Sequence, residues 1–279
     1  MADGTQTSTT GAGGFLVPLP SPAPSNDFVR PSSLPHPRGH ALRPGSAKED
    51  KVRNYVANRI GHINRRFFKK SGLAAMAPPT DDGVTGYKSM GEMCKDLDEL
   101  INIIWLSGTP SLQIPYLLNI ASELNTWLPS FPPSPKATFL VLSKLDHCFA
   151  SLVAGMDVNT EEPLPGFENG MRAGMSRTDM VRCKSTAQQT RVVIMDVMSE
   201  EPGQEEESEN DADADEDGDS DDDGPTDWGK VVAKQKRRDK REDEERHMDM
   251  ARVYEKTLVQ LGKTLQDGDL AGGIQISDD

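Results

Sequence analysis

Aromatic residues make up only 5% of this chain and hydrophobic residues of all kinds 35%, against 20 Pro and 24 Gly in 279 positions. A chain so short of apolar side chains cannot bury most of its length, so one modest domain accompanied by disordered segments is expected. Cysteine is scarce as well. Cys94, Cys148 and Cys183 are odd in number and show no CxxC spacing, which argues against a disulfide framework or a thiolate zinc site and suits a reducing compartment. They are read as three small buried hydrophobes. The opening residues, "MADGTQTSTTGAGGFLVPLP", lack the basic start and unbroken apolar run of a secretory signal. No run approaches the ~20 apolar residues that would span a bilayer, so the expectation is a soluble intracellular protein with no membrane partner.

The usual marks of catalysis are missing too. There is no GxxxxGK[ST], and the glycines of "GAGG" and "LAGG" do not lie between a strand and a helix. The histidines, His36, His40, His62, His147 and His247, are scattered. Asp146, His147 and Cys148 are adjacent, but consecutive helical residues point about 100° apart and cannot relay protons to one another, so His147 is read as structural. In "DADADEDGDSDDDG" the residues Asp213, Asp215 and Asp217 precede Gly218 as in an EF-hand loop, yet the twelfth position is Gly224 and no helix pair flanks it. The chain is therefore read as not an enzyme, with no cofactor and no metal.

What the sequence does have is charge in blocks. Its net charge is −14, but residues 200–227 hold 16 acidic and no basic groups, leaving 31 basic against 29 acidic elsewhere. Like charges at that density repel and supply nothing to a core. The block has two readings, a solubilising linker or a screen for basic partners such as histones. Ser208 and Ser220, each with Asp three residues on, are candidate sites for an acid-directed kinase, and Ser21, before Pro22, for a proline-directed one. Just beyond the block, Lys234, Lys236, Arg237, Arg238, Lys240 and Arg241 form a candidate nuclear-import signal. A charged, exposed helix is the alternative there.

Between these blocks runs helical periodicity. "SAKEDKVRNYVANRIGHINRRFFKK" opens with a capping box, Ser46 and Glu49, and repeats Val52, Tyr55, Val56, Ile60, Ile63 and Phe67 along one face. Its other face carries Arg53, Arg59, Arg65, Arg66, Lys69 and Lys70, read either as candidate nucleic-acid contacts or as a solvated face. Ser89 and Glu92 cap a second helix with Met93, Leu97, Leu100, Ile101, Ile104 and Trp105 inward, ending at Gly108. Thr109–Pro110 or Ser111 begins a third, with Leu117, Ile120, Ala121, Leu124 and Leu128 inward and Pro115 near its first turn. Ser134, Pro135 and Gly155 bound a fourth, and Ser176 with Asp179 starts a fifth that buries Met180, Cys183, Ala187, Ile194 and Val197. After the acidic block, one long helix is predicted. Its stripe of Ala251, Tyr254, Leu258, Leu261 and Leu265 should dock on the bundle or on a partner.

The segments "GYKSMGEMCKDLDELINIIWLSGTPSLQIPYLLNIASELNTWLPSFPPSP" and "LPGFENGMRAGMSRTDMVRCKS" resemble a family of small filamentous-fungal proteins sometimes labelled meiotic recombination protein. The similarity covers most of residues 33 to 198, with "ARVYEKTLVQLG" beyond. Strand-exchange enzymes of the RecA type need a phosphate-binding loop that is missing here, so the resemblance implies an accessory factor.

The expected architecture is all-α: a Pro-rich tail (1–45), a small bundle of about five helices (46–198), an acidic linker (199–227), a basic then amphipathic helix (228–265) and a loose tail (266–279). The expected function is a nuclear adaptor or accessory subunit, in chromatin or in DNA recombination and repair. It would bind protein partners through helical surfaces and basic ligands through the acidic block. The alternative is a nucleic-acid-binding accessory protein using basic helices 48–70 and 230–241. The sequence leaves the oligomeric state open.

Overall fold

Two helices begin with the same reciprocal cap. The computed structural model describes residues 34–70, 83–168, 170, 174–199 and 228–271. In it, Ser46 Oγ accepts from Glu49 N at 3.2 Å and Glu49 Oε2 from Gly45 N at 2.6 Å, starting α1, Ala47–Lys70. Ser89 Oγ accepts from Glu92 N at 3.2 Å and Glu92 Oε2 from Lys88 N at 2.9 Å, starting α2, Met90–Leu106. In both, the glutamate reaches one residue further back than in the standard capping box. α3, Pro110–Trp127, follows Gly108, whose φ of 53° ends α2 in the left-handed region. A Cβ there would lie 2.9 Å from Arg38 Cγ, so glycine is required by space as well as by conformation.

The expected caps at Thr109 and Ser134 are different. Neither side chain caps its helix. Proline at the first helical position removes one orphan N–H of each helix, and at the start of α3 Leu112 N donates to the Thr109 carbonyl at 2.9 Å. The Thr109 hydroxyl instead donates to Ser107 O at 2.8 Å and accepts from Leu42 N at 2.9 Å. That bond ties residues 34–45, expected to be part of a loose tail, onto the bundle, with Leu42 buried. Pro115 lies inside α3 without ending it.

α4, Pro135–Ala154, closes at Gly155 with φ 73°, and α5, Arg177–Ser199, starts at a mutual bond in which Ser176 Oγ donates to Asp179 Oδ2 at 2.6 Å. α6, Trp228–Arg252, and α7, Glu255–Ala271, complete the described elements. The fold is thus all-α. Among the described residues the sole β-type pairing is the isolated bridge between Met156 and Pro163.

α4 is the central element, packed against α2 and α7, while α3 packs against α5. Lys144 meets Asp98 and Asn102, and His147 meets Trp105, so contacts with α2 advance in the same chain direction. Phe149 meets Tyr254 and Asp146 meets Thr257, so α7 runs antiparallel to α4. By length and composition α4 could cross a bilayer, which corrects the expectation that no such run exists; 72% of its most apolar window is buried in the bundle. Its apolarity is that of a core helix.

Most predicted stripes are buried, as are the three free thiols. Burial drives the Cys148 thiol far above its ordinary range and pushes Cys183 up to about 12, so neither supplies a thiolate at neutral pH. Two positions depart from their stripes: Tyr55 is 43% exposed, and Ala251 is exposed. The largest difference is at the C-terminal end, where one predicted helix is two. Tyr254 adopts φ 54° and sinks its ring against Phe149, and that turn separates α6 from α7. α7 continues to Ala271, past the expected start of a loose tail at 266.

Candidate functional site

The basic face of α1 is turned inward onto α2. Arg59 Nη2 donates to Asp96 Oδ1 at 3.0 Å and to Glu99 Oε2 at 2.8 Å. Arg66 donates to Asp96 Oδ2 at 3.0 Å, to Glu92, and to Thr85 O at 3.2 Å, and its guanidinium stands 3.9 Å from the Tyr87 ring centre. Tyr87 donates its hydroxyl proton to Asp96 Oδ2 at 2.6 Å, and burial together with that bond raises its pKa well above the ordinary value. Burial works against the Glu92 carboxylate, but the Lys88 N–H and Arg66 hold it below the usual range.

The neighbouring cations are engaged too. Arg53 donates to Glu49 Oε1 at 2.7 Å, Lys69 to Val84 O at 2.8 Å and Lys70 to Ser130 O at 2.5 Å; Lys70 also lies 4.3 Å from the Phe131 ring centre. Arg65 is half-buried within the same helix. Of the candidate nucleic-acid contacts, Arg53, Arg59, Arg66, Lys69 and Lys70 therefore meet acidic groups, carbonyls or rings of this chain.

The candidate import signal lies within α6. Arg237, Lys240 and Arg241 are exposed. Lys240 approaches Glu244 at 3.7 Å and Arg241 approaches Glu245 at 3.1 Å, a basic-to-acidic order along the helix that is the weaker orientation for such pairs. Ser21, Ser208 and Ser220, and the acidic block, lie outside the described residues.

A polar latch that the sequence did not announce joins α4 to α7. The Asp146 carboxylate accepts from Thr257 N at 2.8 Å, Lys256 N at 3.3 Å and the Thr257 hydroxyl at 2.7 Å. It caps a helix 111 residues away in the chain. Burial outweighs these bonds and holds its pKa above the usual carboxylate range. His147, one residue on, turns to the 156–163 loop. Its Nε2 meets Asp157 Oδ2 at 2.9 Å, and its Nδ1 meets Asn159 Nδ2 at 3.1 Å. Asn159 Oδ1 accepts from Lys256 Nζ at 3.0 Å, closing the network back onto α7. Burial opposes ionisation of Asp157, but the N–H groups of Thr160 and Asn159 and the His147 ring hold its carboxyl below the usual range. The divergent directions of Asp146, His147 and Cys148 follow from helical geometry, and the roles are structural.

Shallow grooves lie on the surface of the described residues. One lies between α5 and α7 at Arg177, Met180, Thr264 and Leu265; another lies between His36, Arg38 and the loop at Asp157 and Glu162. Among the described residues no group of three His, Cys, Asp or Glu is placed to hold a metal ion. The surface offers exposed helix faces instead. Val181, Val192 and Met195 stand out on α5, at 53%, 70% and 63% exposure.

One comparison with known proteins is informative. The family model described as TFB6, subunit 11 of the general transcription factor TFIIH, matches residues 86–262. The matched span takes in α2 to α6 whole and the latched first half of α7. No curated protein and no solved structure matches.

Proposed function

Because this chain belongs to the TFB6 family, subunit 11 of the general transcription factor TFIIH, we propose that it is a non-catalytic accessory subunit acting in the nucleus through helical protein-docking surfaces. The observation that carries this reading is the coincidence of the family match with the packed bundle. The matched residues are those that build α2 to α5 and close α7 onto α4. The family is described by its part in transcription, whereas the resemblance drawn from the sequence carried a meiotic label; the placement proposed here follows the family model.

Within this reading, the basic residues Lys234 to Arg241 of α6 serve nuclear import, and the acidic block attracts basic partners. The test is purification of the tagged full chain from nuclear extract, with and without nuclease. TFIIH subunits recovered equally in both arms are the expected result. Their absence overturns the reading.

Exposed Arg237, Lys240 and Arg241 also support a second reading, nucleic-acid binding by α6. The α1 half of that idea is weakened by the intramolecular partners of Arg59 and Arg66. Binding through phosphate contacts would fall steeply between about 50 and 200 mM salt, and partners bridged by nucleic acid would vanish after nuclease.

A further inference from the structure

α5 has two faces, and the bundle uses one of them. Met180, Cys183, Ala187, Ile194 and Val197 are buried. On the opposite side Val181, Ser185, Gln188, Val192, Met195 and Ser199 are all exposed. They share one face of the helix at alternating four- and three-residue spacing, apolar at Val181, Val192 and Met195 and polar at Ser185, Gln188 and Ser199. The three large members, Val181, Val192 and Met195, are each more than half exposed. The strongest apolar patch is the pair Val192 and Met195, one turn apart. The face runs for about 27 Å along the helix.

The flanks say what fits. Arg182 and Lys184 are exposed beside this face and Arg191 is partly exposed, against one exposed acid on this helix, Asp196. A second copy of α5 would bring basic flank against basic flank. The acidic block, joined directly to the end of α5, has the complementary charge. Residues 200–227, however, contain no Val, Leu, Ile, Met or aromatic side chain to cover the face. The occupant must therefore carry both an apolar stripe and acidic flanks.

We propose that the outer face of α5 docks an amphipathic helix with acidic flanks, contributed by another subunit of the complex. This rests on the reading of the chain as a TFIIH accessory subunit and names the surface that attaches it. Val192 and Met195 supply the apolar centre, and Arg182 and Lys184 the charged rim that steers approach and selects the partner.

The test combines affinity with proximity. Purified TFIIH is titrated with the full wild-type chain and with the V192D/M195D chain, and the wild-type assembly is treated with a carbodiimide, which couples Lys184 Nζ to an adjacent carboxylate. Both substituted positions are solvent-facing, so the variant keeps its circular dichroism and melting temperature. A K184E chain, which leaves the apolar centre intact, provides a second measure. The expected results are about tenfold or greater weakening for V192D/M195D, a slower association rate for K184E, and a Lys184 crosslink to Asp or Glu in another subunit.

Wild-type binding with undiminished affinity in V192D/M195D overturns the inference while leaving the accessory-subunit reading in place. So does a Lys184 crosslink confined to residues 200–227, or one joining two copies in a mixture of isotopically distinct chains. Failure of the wild-type chain to bind TFIIH at all overturns that reading, and the inference with it.

Discussion

Asp146 lies deep in α4 and spends its charge on another helix. Two N–H groups of α7 and the Thr257 hydroxyl converge on one carboxylate, a capping arrangement supplied from outside the capped helix. Replacing Asp146 by Ala leaves those donors buried and unpaired, and a loss of about 2 kcal/mol in urea unfolding is expected, with faster amide exchange in the first turn of α7. Asp146→Asn, still an acceptor, should lose less. Glycines give a second contrast. A Cβ on Gly86 would stand 2.7 Å from the Lys70 backbone nitrogen, whereas one on Gly262 meets nothing within 4 Å. Gly86→Ala should therefore destabilise by about 1–3 kcal/mol, while Gly262→Ala, inside α7, should stabilise by roughly 0.5–1 kcal/mol; thermal melts of the two variants check both signs. Gly108 was legible as a helix stop because its position after an apolar stripe implies the left-handed conformation. Asp146 was not, since nothing local distinguishes a long-range cap from a surface acid.

At the scale of elements, α1 and α2 show why a charge pattern cannot be read without its neighbours. The six cations at Arg53, Arg59, Arg65, Arg66, Lys69 and Lys70 look free along the sequence, but α2 presents Glu92, Asp96 and Glu99 opposite Arg59 and Arg66. Two carboxylates carry a pH signature, Glu92 of this pairing and Asp157 of the His147 network. Glu92 and Asp157 have folded pKa values below their ordinary ones, so their stabilising contribution is present above the unfolded carboxylate range and disappears as pH falls through the folded values. Asp146, held above its ordinary value by burial, works in the opposite direction and gains as it takes up its proton. The E92Q/D157N chain should accordingly show a shallower decline in melting temperature between about pH 5 and pH 3 than the wild type. Helix stripes were legible at this scale because each bears its own period. The break at Tyr254 was not: a tyrosine at φ 54° is tolerated only because its ring is fully enclosed beside Phe149, a fact of packing.

For the whole molecule, α7 is a structural member of the bundle. A division between a bundle ending at 198 and a separate C-terminal helix was the natural reading of a chain interrupted by 16 acidic groups in residues 200–227. The alternative of docking on the bundle was open in the stripe of Leu258, Leu261 and Leu265, but no local pattern chooses a docking site. Removing residues 228–279 would uncover Phe149 and the α7-facing side of α4, including the anchors of Tyr254 and Thr257. That truncated chain should retain helical far-ultraviolet dichroism, lose its near-ultraviolet signal and bind a hydrophobic dye.

The latch also sets a clock. Asp146 leaves the ribosome 111 residues ahead of Thr257, an interval of roughly 5 to 20 seconds at ordinary rates of synthesis. Throughout it the nascent chain displays the bare flank of its most apolar helix, so a chaperone or a waiting partner meets α4 before its own α7 arrives.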